Sequence, residues 1–388
     1  MANVTTAARA GAAATPTGDP WLLTPGPLTT SPTVKEAMLH DYGSRDHHLI
    51  AVNRRMRERL VEIVHGGTAY TCVPVQGSGT FAVEAMIGTF VPARGKLLVL
   101  INGAYGRRIA RIAEYYGIAA AVIETPENQP VDPAELERTL KSDPAITHVA
   151  VVMCETTTGI LNPIQQIADT VAGHGKSLLI DAMSCFGAIE LDARTTRFDA
   201  VVASSNKCLE GTPGLGFCIA RADALKQTKG NSRSLSLDLY DQWVAMEGNG
   251  QWRFTPPVHT IVAFDQALKE FDEEGGVAGR GGRYAENCRL LVGGMRRLGF
   301  QPLLPDSLQA PIIVTFLTPK DPNFDFQVFY DRLRERGYVI YPGKLTVADT
   351  FRIGCIGRLG TREIKGALAA IETTLHELGV ADCAPVAA

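Results

Sequence analysis

The feature that most constrains this sequence is a series of short apolar segments separated by helical patterns between residues 68 and 220. The apolar segments cover residues 97–101, 148–153, 178–181, 200–204 and 216–220. Strands that are apolar throughout, rather than at every second residue, are typical of parallel sheets covered on both faces. The alternation therefore predicts an α/β fold whose large domain contains a doubly wound, mostly parallel sheet.

Helix signals fill the intervals between these strands. Residues 106–116 place their apolar side chains on one helical face. Two later helices carry similar start signals, in which Asp132 or Asn162 precedes a proline and an acid or amide follows three residues on. This spacing predicts that Asp132 and Asn162 are N-caps, because proline suits the first helical position and a side chain at the third can complete a capping box.

The pattern changes after about residue 275. A helix is predicted over 284–298 and strands over 311–316, 338–341 and 350–355, with further helices over 326–336 and 361–378. Glycines at 275–276 and 279–282 predict a hinge or boundary. We therefore expect a flexible N-terminal tail over residues 1–19, a large domain over 20–275 and a smaller α+β domain over 276–388.

Composition narrows the function. The 388 residues carry a formal net charge of −3, which gives no indication of a nucleic-acid partner or an anionic membrane surface. No apolar run approaches the roughly 18 residues of a membrane helix. The eight cysteines are scattered without a C-x-x-C pair, so the sequence predicts neither a metal site nor a disulfide framework. A cytoplasmic protein is expected.

A glycine-rich segment, Gln76-Gly77-Ser78-Gly79-Thr80, precedes a predicted helix over residues 81–90. Glycines let backbone N–H groups approach an anion, and a helix N-terminus adds partial positive charge, so a phosphate would bind well here. A dinucleotide site is a second interpretation, but it needs an acid about 20 residues later, at the end of the next strand. The chain has none at 100–103. A ligand-free turn that caps the helix is the third interpretation.

Two ionisable residues follow apolar strands. Asp181 ends one strand, and Lys207 comes three residues after the next. Ligands of doubly wound sheets bind at these strand ends. Taken alone, Asp181 could cap a turn and Lys207 could be a surface lysine.

Together, the phosphate segment, the acid and the lysine meet the requirements of pyridoxal 5′-phosphate. The lysine binds the cofactor aldehyde covalently, and the acid keeps the pyridine nitrogen protonated so that the ring can accept electrons. The segment around Ser78 holds the phosphate. We therefore expect this cofactor, with Lys207 and Asp181 as catalytic residues.

Longer motifs carry a family resemblance. They cover residues 23–30, 76–80, 102–106, 155–163, 181–184, 206–208, 232–240, 252–256, 340–344 and 351–354, over nearly the whole chain from 22 to about 377. The sequence resembles the fold-type I, class V aminotransferases that use pyridoxal 5′-phosphate. Within that class, it is similar to members that move the amino group of 2-aminoethylphosphonate to pyruvate.

The resemblance implies a role for each matching residue. Lys207 resembles the cofactor lysine, Asp181 the partner of the ring nitrogen and Tyr105 the aromatic residue stacked on the ring. The implied phosphate contacts are Ser78, Gly79, Thr80 and Asn206. Thr156 or Thr158 matches the residue that contacts the ring hydroxyl, and the sequence does not separate them. Read alone, Tyr105 could be a core residue, and residues 156–158 could cap the helix predicted to start after Asn162.

The resemblance also implies a homodimer with shared active sites. Thr255, with Trp252 nearby, matches a phosphate contact that reaches in from the second subunit. Arg352 matches the arginine that binds the substrate's acidic group, although it could instead form a structural ion pair. We further expect backbone donors near Gly26, and Arg45, to share the charge of a phosphonate. The segment 41–48 departs from the family pattern and could simply be a variable segment at the rim of the active site.

The implied products are phosphonoacetaldehyde and L-alanine. Another class V aminotransferase, acting on alanine, serine or glyoxylate, is the nearest alternative. A cysteine desulfurase of the same class needs a nucleophilic cysteine on a mobile loop and is disfavoured, because Cys355 lies in a strand-like run and Cys208 directly follows Lys207. An NAD-dependent dehydrogenase and a non-catalytic α/β binding protein are alternatives of a different class.

Overall fold

The computed structural model describes residues 12–343, 346 and 348–385. Its strands, in chain order, are β1 Trp21–Leu22, β2 Tyr70–Gln76, β3 Lys96–Ile101, β4 Ala119–Glu124, β5 His148–Val152, β6 Cys154–Glu155, β7 Ile160–Leu161, β8 Ser177–Asp181, β9 Ala200–Ser204, β10 Leu215–Arg221, β11 Ile313–Leu317, β12 Tyr338–Val339, β13 Tyr341–Pro342 and β14 Thr350–Gly354.

Its α-helices are α1 Pro32–Glu36, α2 His47–Ile63, α3 Gly79–Phe90, α4 Ala104–Tyr115, α5 Pro133–Ser142, α6 Ile164–Gly173, α7 Ala222–Lys226, α8 Leu239–Asn249, α9 Val258–Glu273, α10 Gly276–Arg297, α11 Phe326–Glu335 and α12 Thr361–Leu378. Every strand and helix predicted from the sequence between residues 97 and 378 has a counterpart, with ends that shift by a few residues. None of these helices combines the length and apolarity needed to cross a membrane.

The large sheet has seven strands in the order β2-β10-β9-β8-β5-β3-β4. The five strands from β9 to β4 are parallel, and β10 runs antiparallel to both of its neighbours. Successive residues of the central strands enter different cores: Leu98 and Leu100 pack on one side of the sheet, whereas Leu97 and Val99 pack on the other. This two-sided burial is why these strands are apolar throughout, and it confirms the predicted doubly wound sheet.

The C-terminal part forms a smaller α+β unit. Strands β11, β14 and β13 make a three-stranded sheet, and helices α10, α11 and α12 pack with it around a third core. The N-terminal strand β1 pairs with β12 of this unit. The domain limits at 20, 275 and 388 stay a prediction. Much of the predicted tail, together with Lys344, lies outside the described residues. In the described part of the predicted tail, Ala13 N donates to the Arg336 carbonyl at 3.0 Å.

The glycine-rich stretch at 275–282 spans a turn and the start of α10. Gly275 and Gly276 have φ of +97° and +66° and make the turn between α9 and α10. The later glycines lie inside α10. A Cβ on Gly281 would lie 2.3 Å from the Ala188 carbonyl oxygen, so only glycine allows this approach. Residues 279–282 therefore belong to a continuous helix, and a hinge or boundary at this stretch stays a prediction.

Asn162 differs from its prediction as an N-cap. Helix α6 begins at Ile164, and Pro163 precedes it. The buried Asn162 amide instead joins three segments: its Oδ1 accepts from Asn102 Nδ2 at 2.9 Å and from Val131 N at 3.0 Å, and its Nδ2 donates to the Val152 carbonyl at 2.8 Å. Asp132, by contrast, is the N-cap of α5 as predicted and accepts from Ala134 N.

We expect Asn162→Ala to lower the free energy of unfolding by about 2–4 kcal/mol, because it leaves several buried polar groups without partners. Urea unfolding followed by circular dichroism measures the change. Asn323→Ala is the control: this exposed side chain makes a surface bond to the Gly379 carbonyl, and its loss should cost less than about 1 kcal/mol. Equal losses in both variants would contradict the interpretation.

Candidate active site

A cavity of about 500 Å³ lies where β8 and β9 end. It brings together eight of the predicted site residues: Gly26, Ser78, Gly79, Thr80, Tyr105, Asp181, Asn206 and Lys207. Because β8 and β9 are parallel neighbours, their carboxyl ends meet at one edge of the sheet. A larger cavity of about 690 Å³, between α2 and α8, contains none of the predicted residues.

The N-terminus of α3 forms one wall of this cavity. Ser78 precedes the helix in an extended conformation, and its side chain makes no capping hydrogen bond. A Cβ on Gly79 would lie 2.3 Å from the Met183 sulfur, so a larger residue there would have to displace the Met183 side chain. Arg108 Nη1 donates to Thr80 Oγ1 at 3.2 Å. Free backbone donors, two hydroxyls and a guanidinium together make this wall suitable for a phosphate.

Asp181 is buried at the end of β8. Its Oδ1 accepts from Met183 N at 2.9 Å. Burial raises the pKa of this carboxyl to about 6, and the charges of Arg108 and Lys207 offset only part of the effect. A carboxylate held in this way gains most from a cationic partner, which is what a protonated pyridine nitrogen would supply.

Lys207 lies three residues after the end of β9 and lines the same cavity as Asp181. Its Nζ donates to the carbonyl oxygens of Pro25 at 2.9 Å and Gly26 at 3.3 Å. Burial is the main reason that the pKa of this amine falls to about 8; the charges of Arg352 and Arg108 act in the same direction, and Asp181 acts against them. A lysine of this kind is neutral for a useful fraction of the time near physiological pH, which suits a nucleophile or a proton carrier.

Gly26 packs directly against Lys207. Its φ is +113°, and a Cβ there would lie 2.6 Å from Lys207 Cδ. Both observations require glycine. The backbone atom that Gly26 turns toward the amine is a carbonyl oxygen, an acceptor. This differs from the expectation of a backbone donor for a phosphonate at this position.

Tyr105 lies in the first turn of α4 and lines the cavity. The Arg108 guanidinium lies 4.8 Å from the centre of its ring. Beneath them, the buried Glu155 carboxylate accepts from Tyr105 N at 3.2 Å and from Gly106 N at 3.4 Å. Burial raises the pKa of Glu155. Glu155 therefore holds the backbone of Tyr105, and the Tyr105 side chain lines the cavity instead of lying in the core.

Sequence reasoning missed Arg108, Met183 and Glu155. Arg108 follows Tyr105 by three residues, so helical spacing places both side chains on one face and could have indicated it. Met183 and Glu155 belong to segments that were singled out, but no local signal shows that Met183 lines the cavity or that Glu155 binds the backbone of α4 beneath it. Their positions depend on contacts between distant segments.

Arg352 lies on β14 and is buried. Its Nη1 donates to the Thr156 carbonyl at 3.1 Å, and its Nη2 donates to the Pro342 carbonyl at 3.1 Å. Burial lowers its pKa. Its hydrogen-bond partners are thus neutral carbonyls rather than a carboxylate, which disfavours the structural ion pair. Near Lys207, this uncompensated charge would attract an anion.

Both candidate threonines are buried. Thr158 Oγ1 is sealed from solvent and has no hydrogen-bond partner among the described residues. Neither threonine lines the cavity, so both stay candidates for the contact with the ring hydroxyl. Neither residue caps α6, which begins after Pro163.

Six predicted residues do not line the cavity of their own chain: the buried Thr156, Thr158 and Arg352 described above, and Trp252, Thr255 and Arg45. Trp252 donates from Nε1 to Asn53 Oδ1 at 3.2 Å and lines a separate cavity of about 480 Å³. Thr255 is exposed. Arg45 is exposed in the loop before α2, where Asp46 is the N-cap.

The cysteines and the possible metal ligands point to no further chemistry. All eight cysteines are free and buried, and burial raises the pKa of the Cys208 thiol, so it is a poor nucleophile. Among the described residues, His65, Glu190 and Asp192 are close enough together to hold a metal ion, but they lie at the surface and not in the cavity described above.

Comparison with known proteins decides the family. The family described as aminotransferase class V matches residues 34–319. The chain belongs to the class V aminotransferases. A 2-aminoethylphosphonate–pyruvate transaminase of Burkholderia lata is 57% identical over 361 residues, covering 93% of this chain and 96% of that protein. A transaminase of the same name from Pseudomonas aeruginosa is 55% identical over 361 residues, covering 93% and 97%.

Solved structures give the same fold. A pyridoxamine–pyruvate aminotransferase from Mesorhizobium loti superposes with a TM-score of 0.85 at 25% identity and covers 95% of both chains. A ureidoglycine–glyoxylate aminotransferase from Bacillus subtilis has a TM-score of 0.85 at 22% identity, covering 93% of this chain and 94% of that one. The predicted fold-type I architecture is confirmed.

This class V aminotransferase is therefore an enzyme that uses pyridoxal 5′-phosphate, as predicted, and the dehydrogenase and binding-protein alternatives are wrong. Its residues fit the cofactor: the wall at Ser78 offers uncommitted donors, Asp181 lacks a full counter-charge and the Lys207 amine has a lowered pKa. Each of these is a group whose environment a bound cofactor would complete.

In the cofactor-free protein, we expect Asp181→Asn to raise the free energy of unfolding at pH 7 by as much as about 3 kcal/mol, because the folded wild type must keep a buried carboxylate charged. The raised pKa means that this advantage is absent below about pH 4, grows as pH rises toward 6 and is constant above. Urea unfolding at pH 4 and pH 7 measures it.

Asp192→Asn is the matched control. The Arg194 guanidinium lowers the pKa of the Asp192 carboxyl to about 2, so this substitution should lower stability at pH 7 rather than raise it. A stability gain in Asp181→Asn that is the same at both pH values would contradict the burial argument.

Proposed function

We propose that this class V aminotransferase transfers the amino group of 2-aminoethylphosphonate to pyruvate, giving phosphonoacetaldehyde and L-alanine. The observation that carries the proposal is the 57% identity, over almost the full length of both chains, to a relative with that name. The second support is the buried Arg352, whose charge is uncompensated and lies near the Lys207 amine.

The residues that would hold pyridoxal 5′-phosphate surround the cavity. Ser78, Gly79, Thr80 and Asn206 would contact its phosphate, with Arg108 adding positive charge, and Tyr105 would stack on its ring. Asp181 would pair with the ring nitrogen, and Thr156 or Thr158 would contact the ring hydroxyl. When bound, the cofactor supplies an aldehyde that binds amines and a ring that accepts the electron pair left by a removed proton.

Lys207 would be both the attachment point and the proton carrier. As a neutral amine, it would accept the proton from the amine-bearing carbon of the donor and later return a proton to the corresponding carbon of pyruvate. Its pKa of about 8 keeps enough neutral amine available near physiological pH for this transfer. The carbonyls of Pro25 and Gly26 would hold it in place between transfers.

Arg352 would bind the acidic group of each substrate in turn. Its planar guanidinium can pair with a phosphonate or a carboxylate through two hydrogen bonds. Its present partners are the carbonyls of Thr156 and Pro342, which leave its positive charge for the ligand. The role of Arg45 stays a prediction, because its exposed side chain does not line the cavity.

We also propose that the active enzyme is a homodimer with shared sites, in the cytoplasm. Phe81, Leu235 and Phe254 are 49%, 73% and 51% exposed in the single chain. Phe81 and Phe254 line the cavity that also holds Trp252, and Gly77 lines both this cavity and the cofactor cavity. A second copy covering this face would bring its own Thr255 toward the cofactor phosphate. The free cysteines suit a reducing compartment.

The donor test measures alanine formed from pyruvate with 2-aminoethylphosphonate, β-alanine and serine. β-Alanine is the matched control, because it has the same chain length with a carboxylate in place of the phosphonate. We expect 2-aminoethylphosphonate to have the highest kcat/KM, and borohydride reduction followed by peptide mass spectrometry to locate the cofactor on Lys207. Faster transfer from serine or alanine to glyoxylate would instead support the alternative class V function.

Arg352→Lys is the variant for this assay. It should lower kcat/KM by roughly 30-fold for both 2-aminoethylphosphonate and pyruvate, because lysine cannot make the two-point pairing. Arg289→Lys, at an exposed ion pair with Glu286, is the control and should leave both values unchanged. Unchanged rates in Arg352→Lys would overturn its assigned role.

The dimer is tested by sedimentation and cofactor affinity. Leu235→Asp should raise the dimer dissociation constant at least tenfold, because it places a charge in an apolar contact, and cofactor affinity should fall with it. Val328→Asp, at another exposed apolar residue on α11, should leave both unchanged. A monomeric wild type with full activity would contradict the shared site.

A further inference from the structure

The start of α4 has no cap of its own. The residue before this helix is Gly103, which has no side chain to accept from the first backbone N–H groups. The first hydrogen bond between Gly103 and the helix runs from Arg107 N to the Gly103 carbonyl at 3.2 Å. The N–H groups of residues 104–106 therefore need partners from elsewhere, because backbone donors left unpaired away from water cost free energy.

A distant segment supplies partners for all three groups. Glu155 Oε2 accepts from Tyr105 N at 3.2 Å and from Gly106 N at 3.4 Å. Thr157 Oγ1 accepts from Ala104 N at 3.2 Å and donates to Glu155 Oε1 at 2.6 Å. A carboxylate and a hydroxyl from a segment 50 residues further along the chain therefore do what an N-cap side chain does in most helices.

The position of Glu155 suits a carboxylate and not an amide. Its Oε1 also accepts from Thr157 N at 3.2 Å, so each of its oxygens faces at least one backbone N–H group. The NH2 group of a glutamine would face a donor whichever way it turned. The partial positive charge of a helix N-terminus also favours a negative charge here. A Cβ on Gly103 would lie 2.3 Å from Glu155 Cδ, so the glycine leaves room for this side chain.

The placement of the Tyr105 ring depends on this cap. Tyr105 is the second residue of α4, and its side chain lines the cofactor cavity. The Arg108 guanidinium, 4.8 Å from the centre of the ring, belongs to the same helix, so this contact moves with the ring and does not fix it to the rest of the fold. If the first turn of α4 shifted, the ring would shift with it.

We propose that Glu155 and Thr157 are positioning residues for the cofactor: by capping α4, they hold the Tyr105 ring where it stacks on the pyridine ring. The inference rests on the proposed function, in which Tyr105 makes this stacking contact. Neither Glu155 nor Thr157 lines the cavity, so both act through Tyr105. Stacking depends on ring placement, and loss of a well-placed aromatic pair changes an equilibrium constant by roughly 2- to 10-fold.

The test is a double-mutant cycle. Glu155→Gln and Tyr105→Leu are made singly and together, and the dissociation constant of pyridoxal 5′-phosphate is measured by titrating the full-length, cofactor-free protein. Visible circular dichroism of each holoenzyme reports the orientation of the bound ring. A residue that acts through Tyr105 loses its effect once the aromatic ring is removed, whereas a residue that only stabilises the fold has the same effect in both backgrounds.

We expect Glu155→Gln to raise the dissociation constant about fivefold when Tyr105 is present, and by less than about twofold in the Tyr105→Leu background. The visible circular dichroism band should weaken in Glu155→Gln, because the cofactor ring loses its fixed partner. It should change no further when Glu155→Gln is added to Tyr105→Leu.

Asp199→Asn is the matched control. The Asp199 carboxylate is also buried, and its Oδ1 pairs with Arg221 Nη2 at 2.8 Å. It directly precedes β9, however, and so lies at the opposite end of this strand from the cavity. This substitution should lower the thermal midpoint, as Glu155→Gln does, but leave the dissociation constant and the circular dichroism band unchanged.

Equal effects of Glu155→Gln in the two backgrounds would overturn the inference, whatever the loss of thermal stability. If Glu155→Gln does not fold, Thr157→Val enters the same cycle, since it removes the hydroxyl bonded to Ala104 N and keeps the shape of the side chain. A Tyr105→Leu variant with the affinity and circular dichroism of the wild type would instead refute the stacking contact of the proposed function. A weakened Tyr105→Leu with an additive cycle would refute only the positioning role.

Discussion

Burial of Lys207 and Asp181 in one cavity is the constraint on which the rest of the structure depends. Burial lowers the pKa of the amine to about 8 and raises that of the carboxyl to about 6, so the fold disfavours the charged form of both. This arrangement costs stability in the empty protein, and a cofactor that bonds to the amine and gives the carboxyl a cationic partner recovers that cost. Binding of the correct ligand would therefore relieve the unfavourable burial of these two groups.

The surrounding scaffold keeps these groups in place without neutralising them. Parallel strands β8 and β9 bring Asp181 and the Lys207 segment to one edge, while the N-termini of α3 and α4 direct positive ends toward the same cavity. The Glu155 carboxylate accepts hydrogen bonds from backbone N–H groups of α4 rather than pairing with a cation. Most of the charge left uncompensated in the cavity is therefore positive, as binding of a phosphate and an acidic substrate requires.

The smaller C-terminal unit completes the site from the other side. Strand β14 delivers Arg352, and helix α10 carries side chains that contact both the turn after Lys207 and the turn after β14. In the proposed function, the lysine that moves the proton and the arginine that binds the acidic group would come from different parts of the chain.

The sequence by itself determined the elements and the cofactor residues, and the tertiary structure decided how they meet. The apolar strands, the Asp132 cap and the positions of Asp181 and Lys207 follow from periodicity and local chemistry, which depend on neighbouring residues alone. The capping signal at Asn162 was misleading, because its buried amide bonds to distant segments, and no local signal showed that Gly281 packs inside a helix against the Ala188 backbone. Met183 and Glu155 take their places only through contacts between segments far apart in the chain, and no local pattern records such contacts.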